Sequence, residues 1–309
     1  MLQQLDWQAF QQRDVRVFVY REDLNHPFIS GNKLYKLNPL LDRYNAGERL
    51  PVVSFGGPYS NHLYALAWLC HQLQIPVIGI VRGLHHTRLS ATLNDVQDWG
   101  MMLSFVSNRE YRQWCSMSVE QASEKARDRF GPCYLIPEGG ATSEVVQAYQ
   151  PLAVKIYQQL VPDYLFCPTG TGSTLAGLFK YASQSQVHGI QCVAEGTATR
   201  NRINRWLDSE NLHPDLVFTD FHRGGFARTD TELLAFCKSF QHRFSVPLEP
   251  VYTGKAFMAV YQLLLRGYFK PGSRVVVVHT GGLQGNRGFA QQYEQLDLGE
   301  FAADPWHFN

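Results

Sequence analysis

Four short stretches of this chain bring chemically active side chains together with glycine. The first is Thr169-Gly170-Thr171-Gly172-Ser173-Thr174, lying between a strand-like run and a helical one. Small residues there let the backbone approach a ligand. Several N–H groups and hydroxyls at a helix N-terminus form an anion site, for which phosphate is the natural guest. A tight turn that needs glycine is the plainer reading of the same residues. A dinucleotide loop is the sharper one, because Glu195 ends the next strand-like run about 20 residues on, where a ribose-binding acid would sit. Against it, the third small position falls on Leu175, and the lysine of a nucleotide-triphosphate loop is absent.

The second stretch is Ser30-Gly31-Asn32-Lys33-Leu34-Tyr35-Lys36-Leu37. Leu34, Leu37 and Leu41 share a helical face, with Ser30 or Asn32 able to cap its start. Lys33 then lies in the first turn, where the helix dipole disfavours an ammonium; if partly buried it would tend towards the neutral amine that Schiff-base chemistry requires. By spacing alone a solvated surface lysine is the plainer reading. In the third stretch, Gly56-Gly57-Pro58-Tyr59-Ser60-Asn61-His62, a sharp turn brings Ser60 and Asn61 to the mouth of a helix. Free N–H groups and a hydroxyl there suit a substrate carboxylate, or Ser60 or Asn61 simply caps the helix. His62 is a candidate proton shuttle or an exposed first-turn side chain. In the fourth, Val275 to Val278 deliver His279-Thr280-Gly281-Gly282 to a strand end, where α/β proteins place ligands. No His/Cys/Asp/Glu cluster shows metal-ligand spacing and no G-x-S-x-G elbow occurs, so metal catalysis and serine hydrolysis are not expected.

The elements that must position these loops alternate between β-rich runs and helical periodicity. Strands are expected at 52–55, 76–81, 102–106, 134–136, 164–167, 191–194 and 274–279. Helices are expected after Ser60, over 174–183, near 203–207, and as one long segment after Thr142-Ser143 through Leu160. Such alternation implies parallel sheets with covered faces. Two Gly-rich strand-to-helix turns far apart suggest two such layers. The 309 residues are 45% hydrophobic and 18% charged, enough for a substantial core. Lys and Arg number 28 against 27 Asp and Glu, without blocks of like charge, which argues against a nucleic-acid or membrane-surface binder. No apolar run reaches the roughly 18 residues of a membrane span. The N-terminus lacks the features of a signal peptide, and the six cysteines are scattered as small hydrophobes, so the cytoplasm is the expected compartment.

In this order, the stretches resemble the pyridoxal-phosphate (PLP) enzymes of the tryptophan-synthase-β fold type, fold type II. More narrowly they are similar to the 1-aminocyclopropane-1-carboxylate (ACC) deaminase/D-cysteine desulfhydrase family. The matching pieces are Arg21-Glu22-Asp23, Gly31-Asn32-Lys33 with Lys36-Leu37, Gly56-Gly57 with Ser60-Asn61, and Thr171-Gly172-Ser173-Thr174 with Ala176-Gly177. Pro250-Val251-Tyr252 with Gly254-Lys255, and His279-Thr280-Gly281-Gly282, complete the set.

The resemblance implies an α/β fold of two domains, each an open, mostly parallel sheet covered by helices. A large PLP-binding domain would comprise 1–46 and 148–309, with a small domain, 47–147, inserted. It implies that Lys33 carries the cofactor as a Schiff base, that Asn61 bonds its ring hydroxyl, and that Thr171, Gly172, Ser173 and Thr174 hold its phosphate. Tyr252 would lie against the pyridine ring, with Thr280 also at the cofactor. Lys33, Ser60 and Tyr252 would be catalytic, while Ser60, Asn61, His62 and Phe226 would face a small amino-acid substrate. ACC deaminases of the family carry Glu after the tyrosine matching Tyr252, and Leu at the position of Thr280. Here Thr253 and Thr280 stand there, similar to the desulfhydrase pattern. A neutral hydroxyl at the pyridine nitrogen gives a weaker electron sink than a carboxylate, which suffices for β-elimination of a good leaving group. Two departures are Phe226, where the family has tyrosine, and His62, where deaminases have glutamine. The expected reaction is conversion of D-cysteine to pyruvate, hydrogen sulfide and ammonia by a homodimer. ACC or another D-amino acid is the alternative substrate; outside the class stand an NAD-dependent oxidoreductase and a non-catalytic PLP-binding protein.

Overall fold

The structure, a computed structural model, describes residues 1–83, 89–207 and 217–296; the 304–309 tail lies outside them. Ten strands occur among the described residues: β1 (Leu2–Leu5), β2 (Arg16–Arg21), β3 (Val52–Gly56), β4 (Val77–Arg82), β5 (Met102–Val106), β6 (Tyr134–Ile136), β7 (Tyr164–Thr169), β8 (Gln186–Gln191), β9 (Val217–Phe218) and β10 (Arg274–His279). They form a six-stranded sheet, β1-β2-β10-β7-β8-β9, and a four-stranded sheet, β5-β4-β3-β6. Every pairing is parallel except β1 against β2.

Parallel strands need long crossovers, which cover both sheet faces and demand apolar side chains on each. β3 shows the consequence. Val52 joins a core with Leu63, Leu66 and Val77, while Val53 and Phe55 join a second core with Ile80 and Trp114. In the larger sheet Val17, Phe166, Val275 and Val277 pack with Phe236, Phe240 and Phe257.

The chain divides into two compact units, Met1–Asn25 with Val146–Asn309, and His26–Val145. Residues 26–46 therefore belong to the smaller unit, not to the larger one as expected from the resemblance. The reason is packing: Ile29, Leu37 and Leu40 are buried in the same core as Leu63 and Leu66.

Three local expectations are corrected. The strand expected at 191–194 is β8, Gln186–Gln191; Gln186, His188 and Gly189 mask it, although all of its residues but Gln186 are buried. The long helix expected from Thr142 is two helices, Ser143–Gln147 and Gln150–Tyr157, broken ahead of Pro151, which has no N–H to continue the ladder. The helix at Lys33 is likewise two short pieces, Lys33–Lys36 and Asn38–Asn45, separated ahead of Pro39. The strands expected at 52–55, 76–81, 102–106, 134–136 and 274–279 are present, as is the helix after Ser60, Asn61–Leu73.

The helix Ser173–Tyr181 packs closely enough on Tyr149 to require glycine at 177, where an added Cβ would lie 2.4 Å from Tyr149 Cβ. Gly177→Ala is expected to lose about 1–3 kcal/mol, since overpacking outweighs the roughly 1 kcal/mol of helix propensity gained. A lower denaturant midpoint with unchanged m-value would show this; an unchanged or higher midpoint would refute it.

Candidate active site

Open parallel sheets bind ligands at the carboxyl ends of their strands, where the winding reverses. In the larger sheet β7 leads to β8 on one side, while β10 returns on the other. The loop after β7 and the turn after β10 thus leave the ends of adjacent strands. In the smaller sheet β3 leads to β4, and β6 returns on its other side. That places the turns after β3 and β6 at adjacent strand ends.

Four of the expected residues lie at or beside the reversal in the smaller unit. The chain leaves β3 through Gly56, where a Cβ would lie 2.6 Å from Ser60 Oγ. Ser60 caps the helix Asn61–Leu73, its Oγ accepting from Leu63 N at 3.2 Å. His62, expected as an exposed or proton-shuttling side chain, is buried. Ser54 Oγ donates to Ile136 O at 2.8 Å and lies 3.0 Å from His62 Nε2, so Nε2 carries the proton and donates to Ser54. His62 Nδ1 has no hydrogen-bond partner among the described residues. The ring packs on the turn after β6, with room left by Gly140. Burial, then the charges of Lys36 and Lys33, push its pKa down to about 3. It is therefore neutral near pH 7.

Lys33 Nζ donates to Asn32 Oδ1 at 2.6 Å, so Asn32 holds the lysine instead of capping the helix with its side chain. Lys36 is buried and donates to Gly139 O at 2.8 Å.

The larger unit holds the remaining residues. Gly172, at φ +95°, turns the chain into the helix Ser173–Tyr181. Ser173 and Thr174 are buried; Thr174 Oγ1 lies 3.0 Å from Tyr149 OH, whereas Ser173 Oγ has no hydrogen-bond partner among the described residues. Tyr252 reaches the loop, where a Cβ at Gly170 would lie 3.0 Å from Tyr252 Cε1. Phe226 meets the Tyr252 ring edge-on, at 6.3 Å between centroids.

Two residues not singled out as functional from the sequence fix these side chains. The buried carboxyl of Glu249 accepts from the backbone N–H groups of Val251, Tyr252 and Thr253 at 2.7–2.8 Å. Lys255 Nζ donates to Cys192 O, His222 O and Gly225 O, tying the segment before Phe226 to the helix Thr253–Leu265 that follows Tyr252. The signals in the sequence are their spacing about Tyr252, three residues to each side, and, for Lys255, its place in the Gly254-Lys255 piece of the resemblance. At the end of β10, His279 Nδ1 accepts from Gly281 N at 3.2 Å and lies 3.5 Å from Asp23 Oδ1, while Nε2 lies 2.7 Å from Pro247 O; this holds the turn containing Thr280. Burial lowers the histidine's pKa.

A family model described as pyridoxal-phosphate dependent enzyme matches residues 2–281. The chain belongs to this family. Among its relatives, a Rhizobium radiobacter 1-aminocyclopropane-1-carboxylate deaminase is 25% identical, over 91% of this chain and 90% of that protein. The Arabidopsis thaliana mitochondrial bifunctional D-cysteine desulfhydrase/1-aminocyclopropane-1-carboxylate deaminase is 27% identical, over 87% of this chain and 73% of that one. A crystal structure of an ACC deaminase homologue superimposes with a TM-score of 0.80 at 23% identity, covering 96% of this chain and 93% of its own.

The protein is thus a PLP-dependent enzyme of fold type II. Its residues fit the cofactor: the unpartnered hydroxyl of Ser173, buried at a helix N-terminus beside Gly172, suits a phosphate monoester. The dinucleotide alternative falls. Glu195, its ribose-binding acid, instead pairs with Arg202 and accepts from Thr199. Leu175 packs against Gly189, where a Cβ would lie 2.4 Å from Leu175 Cδ2. Among the described residues no cluster could hold a metal ion and no helix is long and apolar enough to cross a membrane.

His62 makes a pH prediction. Its folded pKa of about 3 lies below its ordinary 6.5, so the unfolded chain binds the extra proton first. The stability it supports is complete above pH 6.5 and is lost as pH falls towards 3, at up to about 1.4 kcal/mol per pH unit. His62→Gln should flatten the fall of stability with acid in this window. Parallel curves for the two proteins would contradict the assignment.

Proposed function

We propose that this enzyme catalyses β-elimination on a small amino acid, with D-cysteine as substrate and pyruvate, hydrogen sulfide and ammonia as products. The observation that carries the proposal is the pair Thr253 and Thr280, in the positions where ACC deaminases of this family carry Glu and Leu. Thr253 Oγ1 bonds within the Glu249 turn, accepting from Glu249 N at 2.9 Å and lying 3.2 Å from Glu249 O. On this reading Thr280 would supply a neutral hydroxyl, rather than a carboxylate, to the cofactor's ring. The similarity to the bifunctional Arabidopsis protein supports the same reading.

PLP, when bound, supplies an electron sink for the substrate's α-carbon. Lys33 Nζ would hold the cofactor covalently, and its amine would accept the proton from the substrate's α-carbon. Asn32 Oδ1, 2.6 Å from that nitrogen, orients it. Thr171, Gly172, Ser173 and Thr174 would bind the phosphate with the N–H groups and hydroxyls of a helix N-terminus. Asn61 would bond the ring hydroxyl, with Ser60 and Asn61 on the substrate side and His62 buried behind them. Tyr252 would lie against the ring, its backbone fixed by Glu249. Phe226 has no hydroxyl to handle the leaving thiol, so Ser60, Tyr252 or water must protonate it. The net reaction consumes one water: the C–S and α-C–H bonds break, and hydrolysis of the released enamine gives pyruvate and ammonia.

A second reading, ACC deamination, is favoured by the activity named for the Rhizobium relative. The family resemblance also suggests a homodimer, which sedimentation would test. Sulfide and pyruvate release from D-cysteine, with L-cysteine and ACC as comparators, decides the substrate. Turnover of D-cysteine above both comparators is expected, whereas 2-oxobutanoate from ACC without sulfide from D-cysteine would overturn the proposal in favour of deamination. Lys33→Ala should lose the visible absorption band of the bound cofactor and about 10²–10⁴-fold or more in turnover. Retention of the band and of full activity would show that Lys33 is not the attachment site.

A further inference from the structure

The helix Ala198–Trp206 presents Thr199, Arg202 and Ile203 on one face, at spacings of three and four residues. These three side chains meet three consecutive residues of the loop after β7. Thr199 Oγ1, which bonds Glu195 Oε2 at 2.9 Å, also lies 3.4 Å from Gly170 O. Arg202 Nε donates to Thr171 O at 2.9 Å. Ile203 fills the space left by Gly172, where an added Cβ would lie 2.9 Å from Ile203 Cγ1. Glu195 closes the arrangement, its Oε2 also accepting from Arg202 Nη2.

The geometry has a directional consequence. In a trans peptide the C=O and the following N–H point opposite ways. With the carbonyls of Gly170 and Thr171 turned towards this helix, the N–H groups of Thr171 and Gly172 turn away from it. Arg202 and Glu195 are both partly exposed, and such a pair contributes little to global stability. Its effect is local, on the aim of the loop.

We propose that Arg202, anchored by Glu195, is a positioning residue that orients the 170–172 loop for the cofactor's phosphate. This rests on the reading of Thr171 to Thr174 as the phosphate site. The arginine fork serves two acceptors at once, Thr171 O through Nε and Glu195 through Nη2; a lysine ammonium lacks that fixed fork. Glu195 thereby acquires a role at this loop quite different from ribose recognition.

The test compares two probes on the apoenzyme by absorbance titration: PLP, and pyridoxal, which lacks the phosphate. Arg202→Ala should raise the Kd for PLP by about tenfold, as expected for one lost charge-assisted hydrogen bond, and leave that for pyridoxal within about twofold. The melting temperature of the apoenzyme should not move, and Arg202→Lys should recover only part of the loss. Glu195→Gln, which keeps the arginine and loosens its anchor, should show the same selective loss to a smaller degree; it carries the test if the alanine variant fails to fold. An unchanged Kd for PLP, or equal weakening of both probes, overturns the proposal. Ser173→Ala and Thr174→Val separate the two levels. If both leave the preference for PLP over pyridoxal intact, the phosphate-site reading falls and the proposal with it. If they abolish the preference while Arg202→Ala does not, only the role of Arg202 falls.

Discussion

A parallel strand cannot pair with its successor until the chain has crossed back over one face of the sheet, and this constraint organises both halves of the molecule. β7 must climb through a helix to reach β8, and β3 through a helix to reach β4. When a later strand returns on the opposite flank, two connections diverge from adjacent strand ends and leave a crevice there. β10 does this beside β7, and β6 beside β3. The loops with chemical potential emerge at these reversals: 170–172 and Thr280 in one unit, Ser60 to His62 and Gly139-Gly140 in the other. The glycines matter because the approaches are close, as at Gly170 against Tyr252 and Gly140 against His62.

Around these loops, burial is reconciled with polarity by hydrogen bonds to backbone. Glu249 gathers three N–H groups, Lys255 three carbonyls, and His279 one of each. An unpaired buried polar group would cost roughly 1–3 kcal/mol, so these side chains fix backbone that has no helix or strand ladder of its own. Tyr252 is held in this way by Glu249. Lys255 extends the same support to the segment before Phe226. Ser173 Oγ, at a helix N-terminus, and His62 Nδ1 are buried without a partner among the described residues.

Much of this was legible in the residue pattern. Buried parallel strands announce themselves as runs of Val, Ile and Phe, so β3, β4 and β10 could be read directly. β8 could not, because Gln186, His188 and Gly189 hide a strand whose burial comes from its neighbours β7 and β9. Pro39 and Pro151 each break a helix that apolar spacing alone would continue. The glycine-rich loops were also visible, but not what surrounds them. Glu195 illustrates the limit: its distance from Gly170 suits a ribose acid, yet its carboxylate is occupied by Arg202 and Thr199.

The sequence by itself determined the alternation of strands and helices, the strand-to-helix glycine turns, and the constellation of Lys33, Asn61, Thr171 to Thr174 and Tyr252 that resembles one family. Those properties are local or additive along the chain, being matters of periodicity, backbone freedom and residue order. The tertiary structure alone decided that residues 26–46 pack with the smaller unit, that His62 is buried and neutral, and that Glu249, Lys255 and Arg202 brace the loops. Each of these depends on which distant backbone groups a side chain meets: Ile136 through Ser54, Cys192 and Gly225, or Thr171. Desolvation and hydrogen-bond geometry act through space, and periodicity along the chain carries no record of them.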